Sequence, residues 1–150
     1  MKRILLYALI LALVQIAPVK RTDIAKLRPV EVIALYNTGN GVRIATDTGD
    51  FGVGEDALTA LDHLRRTSPA VIYLDTAEYL LVASGAEEAL ESLRDVLKPS
   101  VKLCRILQQI DLQAAAEYLD VHGDLPSLRC WEAGQKLPAL TDLKGRFCIL

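Results

Sequence analysis

The hydrophobic and polar positions divide the chain into an apolar leader and a patterned remainder. Residues 4–19 hold no charged side chain, whereas two basic residues precede them and two follow. A basic start before an apolar run of this kind is typical of a secretory signal or a short signal anchor. We therefore predict a signal peptide or membrane anchor at residues 1–20, with its cleavage left open, and a single domain at residues 21–150.

The length of the apolar run leaves its exact role open. Its 16 residues are fewer than the roughly 20 that an upright membrane-spanning helix needs. A buried core helix is the alternative, but the run is apolar on every helical face and not on one. We predict an extracytoplasmic protein, tethered to the cell or spore inner membrane through this segment or secreted.

From residue 21 the pattern alternates between short strands and short helices. β-rich apolar runs predict strands at 30–36, 42–46, 71–74, 79–82 and 101–106, and helical spacing predicts helices at 55–66, 84–97 and 111–119. Residues 37–41 supply hairpin-turn chemistry between the first two strands, and Ser84 with Glu87 fits a capping box for the second helix. The predicted fold is α+β, a mixed or antiparallel sheet with about three helices packed on one face.

Charge and composition argue against one class of partner. The 150 residues carry 17 basic and 19 acidic side chains, a formal net charge of −2, and 5% aromatic residues. Nucleic-acid binders usually show a basic patch and aromatic side chains on which bases stack, so we predict no nucleic-acid partner. The single tryptophan, Trp131, fits either an interface anchor or a core residue beneath the C-terminal tail.

The glycine-rich stretch at residues 48–55 is the motif closest to a ligand-binding loop. Its spacing, Gly-x-x-Gly-x-Gly, matches neither the dinucleotide fingerprint nor the P-loop, and no lysine follows it. The acids in and around it would repel a phosphate but could attract Ca²⁺: Asp47, Asp50, Glu55 and Asp56. Their spacing is not that of an EF-hand, and helix starts favour acids in any case. We predict a strand-to-helix corner here, with no metal and no cofactor.

Candidate nucleophiles and bases are few and scattered. No two of Cys104, Cys130 and Cys148 lie at metal-ligand spacing. We predict that they are small buried hydrophobic residues, with a Cys104–Cys130 disulfide left open outside the cytoplasm. His63 and His122 have no local catalytic signature around them and are predicted to be structural or exposed. We therefore predict no catalytic residue and no enzyme activity.

The order of features from about residue 21 to residue 106 resembles the N-terminal domain of Ger(x)C-type spore germination proteins. Residues 21–27 resemble the polar segment after the leader, and the hairpin at 30–46 resembles the first two strands. Residues 54–61, Gly-Glu-Asp-Ala-Leu-Thr-Ala-Leu, are similar to the family's opening of its first helix, and 71–82 to the paired strands that follow. The chain departs from the family at residues 75–76, Asp-Thr in place of Gly-His or Ser-His, and in lacking the lipobox cysteine.

This resemblance implies a non-enzymatic component of a germinant receptor, partnered by integral membrane subunits. Our function hypothesis is accordingly an envelope-side accessory module that docks to a membrane protein. The rival hypothesis is a secreted or anchored small-ligand binder or enzyme whose site is assembled only in the fold. A cleft lined by perturbed polar side chains would favour the rival, and an exposed apolar surface would favour docking.

Overall fold

The structure, a computed structural model, describes residues 26–142 and 147–149. Within them the strands are β1 (Leu27–Pro29), β2 (Val32–Asn37), β3 (Val42–Thr46), β4 (Phe51–Gly54), β5 (Val71–Tyr73), β6 (Tyr79–Ala83), β7 (Lys102–Ile106), β8 (Ala139–Asp142) and β9 (Phe147–Ile149). The helices are α1 (Ala57–Thr67), α2 (Glu87–Leu93) and α3 (Leu112–His122), with short 3₁₀ turns at Leu74–Thr76 and Leu128–Cys130. The predicted leader at residues 1–20 lies outside the described residues.

Seven of these strands form one mixed sheet in the order β4-β3-β2-β6-β7-β8-β9. β2, β6, β7 and β8 run parallel to one another, while β3 is antiparallel to β2 and to β4, and β9 is antiparallel to β8. β1 and β5 form a separate parallel pair. The structure therefore confirms the predicted α+β class, with a mixed sheet and three helices packed on it.

Local sequence signals produce the predicted hairpin and two of the helix starts. Between β2 and β3, Gly39 adopts a φ of +82° and donates its N–H to the Asn37 side chain at 2.8 Å. Asp56 caps α1 by accepting the Thr59 N–H at 2.7 Å, and Asp111 caps α3 in the same way. Each contact satisfies a backbone donor that the turn or helix start would otherwise leave unpaired.

The capping box predicted for the second helix does not form. Gly85 adopts a φ of +83°, which separates Ser84 from the helix, so α2 starts at Glu87 with Ala86 as an N-cap that offers no side-chain hydrogen bond. Glu87 accepts the Gly85 N–H at 2.7 Å, and the Ser84 hydroxyl accepts from Arg105 at 2.9 Å instead. The helix is consequently shorter than predicted.

The helices lie on both faces of the sheet. The core between the sheet, α1 and α2 includes Ile33, Leu35, Ile44, Leu80 and Leu103. The core between the sheet and α3 includes Val32, Ala34, Leu81, Cys104 and Ile106. The prediction placed all the helices on one face; α3 covers the second face because the central strands direct apolar side chains to both sides.

The glycine-rich stretch is a strand and not a corner. β4 pairs with β3 in antiparallel register, and its two glycines face α1. A Cβ at Gly52 would collide with the Ala60 carbonyl oxygen and lie 2.6 Å from the Leu64 backbone nitrogen. A Cβ at Gly54 would lie 2.7 Å from the Thr59 carbonyl carbon. The glycines therefore let the helix approach the strand closely. In the sequence, the same glycine content suggests a turn.

The strands predicted at 71–74 and 79–82 do not pair with each other. β5 pairs with β1, and β6 joins the main sheet beside β2. The 3₁₀ turn at Leu74–Thr76 redirects the chain, and the N–H groups of Glu78 and Tyr79 both donate to the Glu31 carbonyl, at 2.9 and 3.1 Å. These bonds start β6 parallel to β2, so a hairpin between β5 and β6 is not made.

Candidate docking surface and cavities

Among the residues that the structure describes, no helix covers the second face of the sheet where it reaches β3 and β4. α3 packs over β2, and beyond it the side chains of Arg43, Ala45, Phe51 and Val53 share one face, since Arg43 pairs with Val53 and Ala45 with Phe51. Phe51 is 51% exposed and Val53 44% exposed. We call these four residues, together with Tyr36, the open face.

β4 is also an edge strand of the sheet. Residues 52 and 54 point their backbone groups toward β3, so those of Phe51 and Val53 point away from the sheet. The Val53 N–H is covered by His63 of α1, whose Nδ1 accepts it at 3.3 Å. An edge with exposed apolar side chains and outward backbone groups is a template for pairing with another strand.

Arg43 gives the open face a positive charge. Its guanidinium lies over the Phe51 ring, 4.8 Å from the ring centroid, and its Nε is buried without a protein acceptor. Among the described residues Arg43 forms no ion pair. A depression of about 240 Å³ lies beside it, between the open face and the segment that leads into α3. Its lining combines Arg43 with apolar side chains of the open face and with the carboxyl groups of Asp47, Asp50 and Asp111.

Three of the four acids considered for Ca²⁺ take separate structural roles. Asp50 pairs with Arg28 at 3.0 Å, while both Asp47 carboxylate oxygens accept the Glu31 N–H at 3.3 Å. The Thr59 N–H holds the pKa of Asp56 below its usual range. In the described part of the chain, no group of three or more His, Cys, Asp or Glu side chains is placed to hold a metal ion.

The two histidines interact with backbone groups near helices. His63 covers the β4 edge, and His122 Nδ1 lies 3.1 Å from the Tyr118 carbonyl oxygen with its ring stacked on the Tyr118 ring at 4.5 Å. The edge contact of His63 was not predicted, because β4 itself was not recognised as a strand. The sequence signal for β4 was the alternation of apolar residues with glycine in Phe51–Gly54.

The three cysteines are free thiols, and their burial differs. Cys104 lies in the second core, and burial raises the pKa of its thiol to about 11; the thiol donates to the Pro138 carbonyl at 3.1 Å. Cys130 is exposed, which corrects the predicted burial, because its 3₁₀ turn directs Leu128 inward instead. The disulfide left open between Cys104 and Cys130 is not formed.

A large cavity lies at the start of β7. It has a volume of about 740 Å³, and its polar lining is mainly basic: Lys98, Lys102 and Arg129, with Ser100 and Ser127. Backbone hydrogen bonds from Leu128 to Val101 at 2.7 Å and from Arg129 to Pro99 at 2.9 Å fix its walls. Its lysines are shared with a neighbouring cavity that also holds Asp75 and Glu78. The surface is therefore mixed in charge and open to solvent.

A second cleft, between β2, β3 and α3, is acidic. It has a volume of about 560 Å³ and is lined by Glu31, Asp47, Glu117 and Asp120 among others. Partial burial, followed by the charges of Asp47, Glu78 and Asp120, raises the pKa of the Glu31 carboxyl. Partial burial and, after it, repulsion between carboxylates explain the raised pKa without a bound ligand.

No protein-family model matches the chain, and no curated protein and no solved structure is significantly similar to it. The resemblance to Ger(x)C-type proteins therefore stays a prediction. Among the described residues, no helix is both long and apolar enough to cross a bilayer, and the predicted anchor at residues 1–20 lies outside them.

Proposed function

We propose that this chain is a non-enzymatic, envelope-side accessory module that docks to an integral membrane protein through the open face and the β4 edge. The observation that carries the proposal is the exposure of Phe51 and Val53 on an edge strand, beside a face that no helix of the described residues covers. Aromatic and apolar side chains of this kind are the usual contributors to protein interfaces.

The geometry indicates how a partner segment would bind. An extended segment can add to β4 through the outward backbone groups of Phe51 and the Val53 carbonyl, with alternate side chains resting on the open face. The Val53 N–H is not part of this pairing, because His63 already accepts it. Arg43 would then meet an acidic side chain of the partner, since its guanidinium has no carboxylate partner among the described residues. We therefore propose a partner strand of alternating apolar residues that includes one acid.

The state of the side chains that could act in catalysis supports a binding role. The Cys104 thiol has a pKa near 11, so it is protonated at neutral pH and a weak nucleophile. His63 is engaged with the Val53 N–H, and neither residue is joined by a second polar group in a catalytic arrangement on the described surface. The germination context, and the membrane subunits that it implies, rest on the Ger(x)C resemblance alone.

The substitution Val53→Glu tests the docking surface. The new carboxylate faces Arg43 across the strand pair, so the fold tolerates the charge while the edge loses its apolar side chain. Val121→Glu is the matched control, because Val121 is 74% exposed on α3. We expect Val53→Glu to weaken partner association at least tenfold, equivalent to about 1.4 kcal/mol.

The measurement is size-exclusion chromatography of the tagged full-length chain from detergent-solubilised membranes of its host. We expect the unmodified chain and Val121→Glu to elute in a complex larger than the chain alone, and Val53→Glu to elute by itself. Equal elution of the two variants in the complex would exclude the β4 edge as the docking surface. Recovery of the unmodified chain in the cytoplasm would contradict the envelope location.

A further inference from the structure

A second exposed apolar surface lies on the pair of strands formed by β1 and β5. The strands run parallel, with Leu27 opposite Val71 and Pro29 opposite Tyr73, and residues at these alternate positions share one face. Val71 is 49% exposed and Tyr73 42% exposed, while Pro29 is exposed and Leu27 partly exposed. We call these four neighbouring apolar residues the ribbon face.

The opposite side of this strand pair is fixed to the rest of the domain. Ile72 lies in the core shared with α1 and α2, and Arg28 pairs with Asp50 at 3.0 Å. The Thr76 hydroxyl accepts the Val30 N–H at 3.0 Å, which joins the end of β1 to the turn after β5. Because both strands are held from behind, the ribbon face has a definite position on the surface.

The ribbon face lies close along the chain to the predicted membrane anchor. Leu27 follows the last residue of the apolar run, residue 19, by eight positions. A chain of this length spans at most about 29 Å, whatever its conformation, and a domain of this size is about 35 Å across. With residues 1–20 anchored in a bilayer, the ribbon face therefore cannot lie on the side of the domain that is farthest from the membrane.

The chemistry of the ribbon face suits the surface of a phospholipid bilayer. Tyrosine is enriched at that surface, because its ring contacts the acyl chains while its hydroxyl stays hydrated. Residues 20–26 hold three basic side chains and one acidic one, which attracts anionic headgroups. Asp75, exposed two positions beyond Tyr73, keeps the contact shallow, since a carboxylate is disfavoured in the hydrocarbon region.

The small size of the ribbon face favours a lipid surface over a protein. A protein interface of standard size involves roughly 20 residues on each side, far more than the four residues here. A bilayer contact next to an anchor needs less area, because the anchor already holds the domain at the membrane and removes most of the entropic cost of association. A second copy of this chain is the competing occupant.

We propose that the ribbon face lies against the phospholipid headgroup region beside the anchor and sets the orientation of the domain on the membrane. An anchor alone leaves the domain free to rotate about its connection, whereas a second apolar contact fixes which side meets the bilayer. The proposal rests on the predicted anchor at residues 1–20. It goes beyond docking through the β4 edge and does not depend on it.

Brominated lipids, which quench tryptophan fluorescence on contact, test this orientation in the full-length chain. Tyr73→Trp places an indole on the ribbon face. Val121→Trp is the matched control, at a 74% exposed position on α3, which covers the other face of the sheet. The buried Trp131 gives the same background in both variants and is measured in the unmodified chain.

Each chain is reconstituted into vesicles of phosphatidylcholine and phosphatidylglycerol, with or without bromine near the headgroup end of the acyl chains. Flotation of the vesicles shows that the chain is bound. We expect bromine to lower the fluorescence added by Tyr73→Trp at least twofold, and that added by Val121→Trp by less than roughly a tenth. Val71→Glu, added to Tyr73→Trp, should at least halve the quenching, because Val71 is exposed enough for the fold to tolerate a carboxylate that an anionic bilayer disfavours.

Val53→Glu, added to Tyr73→Trp, should leave the quenching unchanged, because these vesicles contain no protein partner. A failure of docking through the β4 edge would therefore not alter these results. The proposal is overturned if a chain that floats with the vesicles shows no quenching at position 73, as it would if a second copy covered the ribbon face. Equal quenching at positions 73 and 121, or quenching that Val71→Glu does not reduce, also overturns it. A chain that does not float contradicts both the anchor and the proposal.

Discussion

At the level of single residues, burial and neighbouring charge decide which side chains are reactive. Cys104 is buried with a raised pKa and is inert at neutral pH, whereas Cys130 lies on an exposed turn. The pKa of the Glu31 carboxyl is raised because the group is partly buried and, second, because it shares a cleft with other acids. These perturbations follow from packing and repulsion and do not require a reaction.

Glu31→Gln tests whether partial burial and the neighbouring acids disfavour the charged Glu31 carboxylate in the folded protein. The folded state raises the pKa of Glu31 above its ordinary value of 4.5, so the folded protein favours the protonated carboxyl. The stability that this carboxyl contributes is therefore present at low pH and is lost as the pH rises through the raised pKa of the folded state. We expect Glu31→Gln to unfold at a higher urea concentration than the unmodified chain at pH 7. The gain should be small, because solvent screens the site.

Urea unfolding of the same pair at pH 4 is the control for this substitution. The difference should shrink there, because the protonated Glu31 of the unmodified chain resembles glutamine. Glu132→Gln, on an exposed loop outside the cleft, should change neither curve. A Glu31→Gln variant that is less stable at pH 7, or equally stabilised at both pH values, would contradict the account.

At the level of secondary-structure elements, the contact between α1 and β4 determines the shape of the open face. The helix lies so close to the strand that residues 52 and 54 must lack a Cβ. The same two glycines leave Phe51 and Val53 directed to the opposite face, since side chains alternate along a strand. The face of β4 opposite α1 therefore carries the exposed side chains of Phe51 and Val53.

Gly52→Ala tests this close approach. Its Cβ would meet the backbone of Ala60 and Leu64, and backbone cannot move aside as a flexible side chain can. We expect a loss of about 3 kcal/mol or more in the free energy of unfolding, at or above the upper end of the usual cost of overpacking, measured by urea denaturation. Failure to obtain folded protein would agree with this direction.

Gly39→Asn is the matched control, since Gly39 needs a positive φ but a Cβ added to it would have no other atom within 4 Å. Asparagine tolerates that backbone conformation, so the cost should stay below about 1 kcal/mol. If Gly52→Ala is as stable as Gly39→Asn, the helix does not press against the strand as described.

The sequence predicted most of the elements but not how they associate. The hairpin at residues 30–46, α1 and α3 follow from turn residues, caps and apolar spacing, which act over a few positions. The pairing of β5 with β1, and α3 on the second face, depend on contacts between distant residues. The continuous burial of β2 and β6 is the feature that points to a sheet covered on both sides.

The candidate surfaces were harder to predict than the fold. β4 was missed because Phe51–Gly54 alternates apolar residues with glycine, a pattern that fits a turn as well as a strand. The ribbon face joins residues 44 positions apart in the sequence, Leu27 and Val71. Such sites are assembled by the sheet, and no local pattern indicates them.

At the level of the whole molecule, the described residues form a central sheet covered on both faces and an end, at β4, where one face is open. The central strands are buried by helices on both faces, whereas the β4 end presents the open face and an unpaired edge. Monomeric proteins usually protect such edges. We infer that a partner covers this end in the working protein, and that it is a membrane protein on the envelope side.

The most direct test places a photo-reactive phenylalanine analogue at Phe51 of the full-length chain in living cells of its host. Its control carries the same analogue at Val121, the more exposed position on α3. We predict a discrete crosslinked product with an integral membrane protein from position 51, absent from position 121 and reduced at least tenfold by Val53→Glu. No product at position 51, or an equal product from both positions, would contradict docking through the β4 edge.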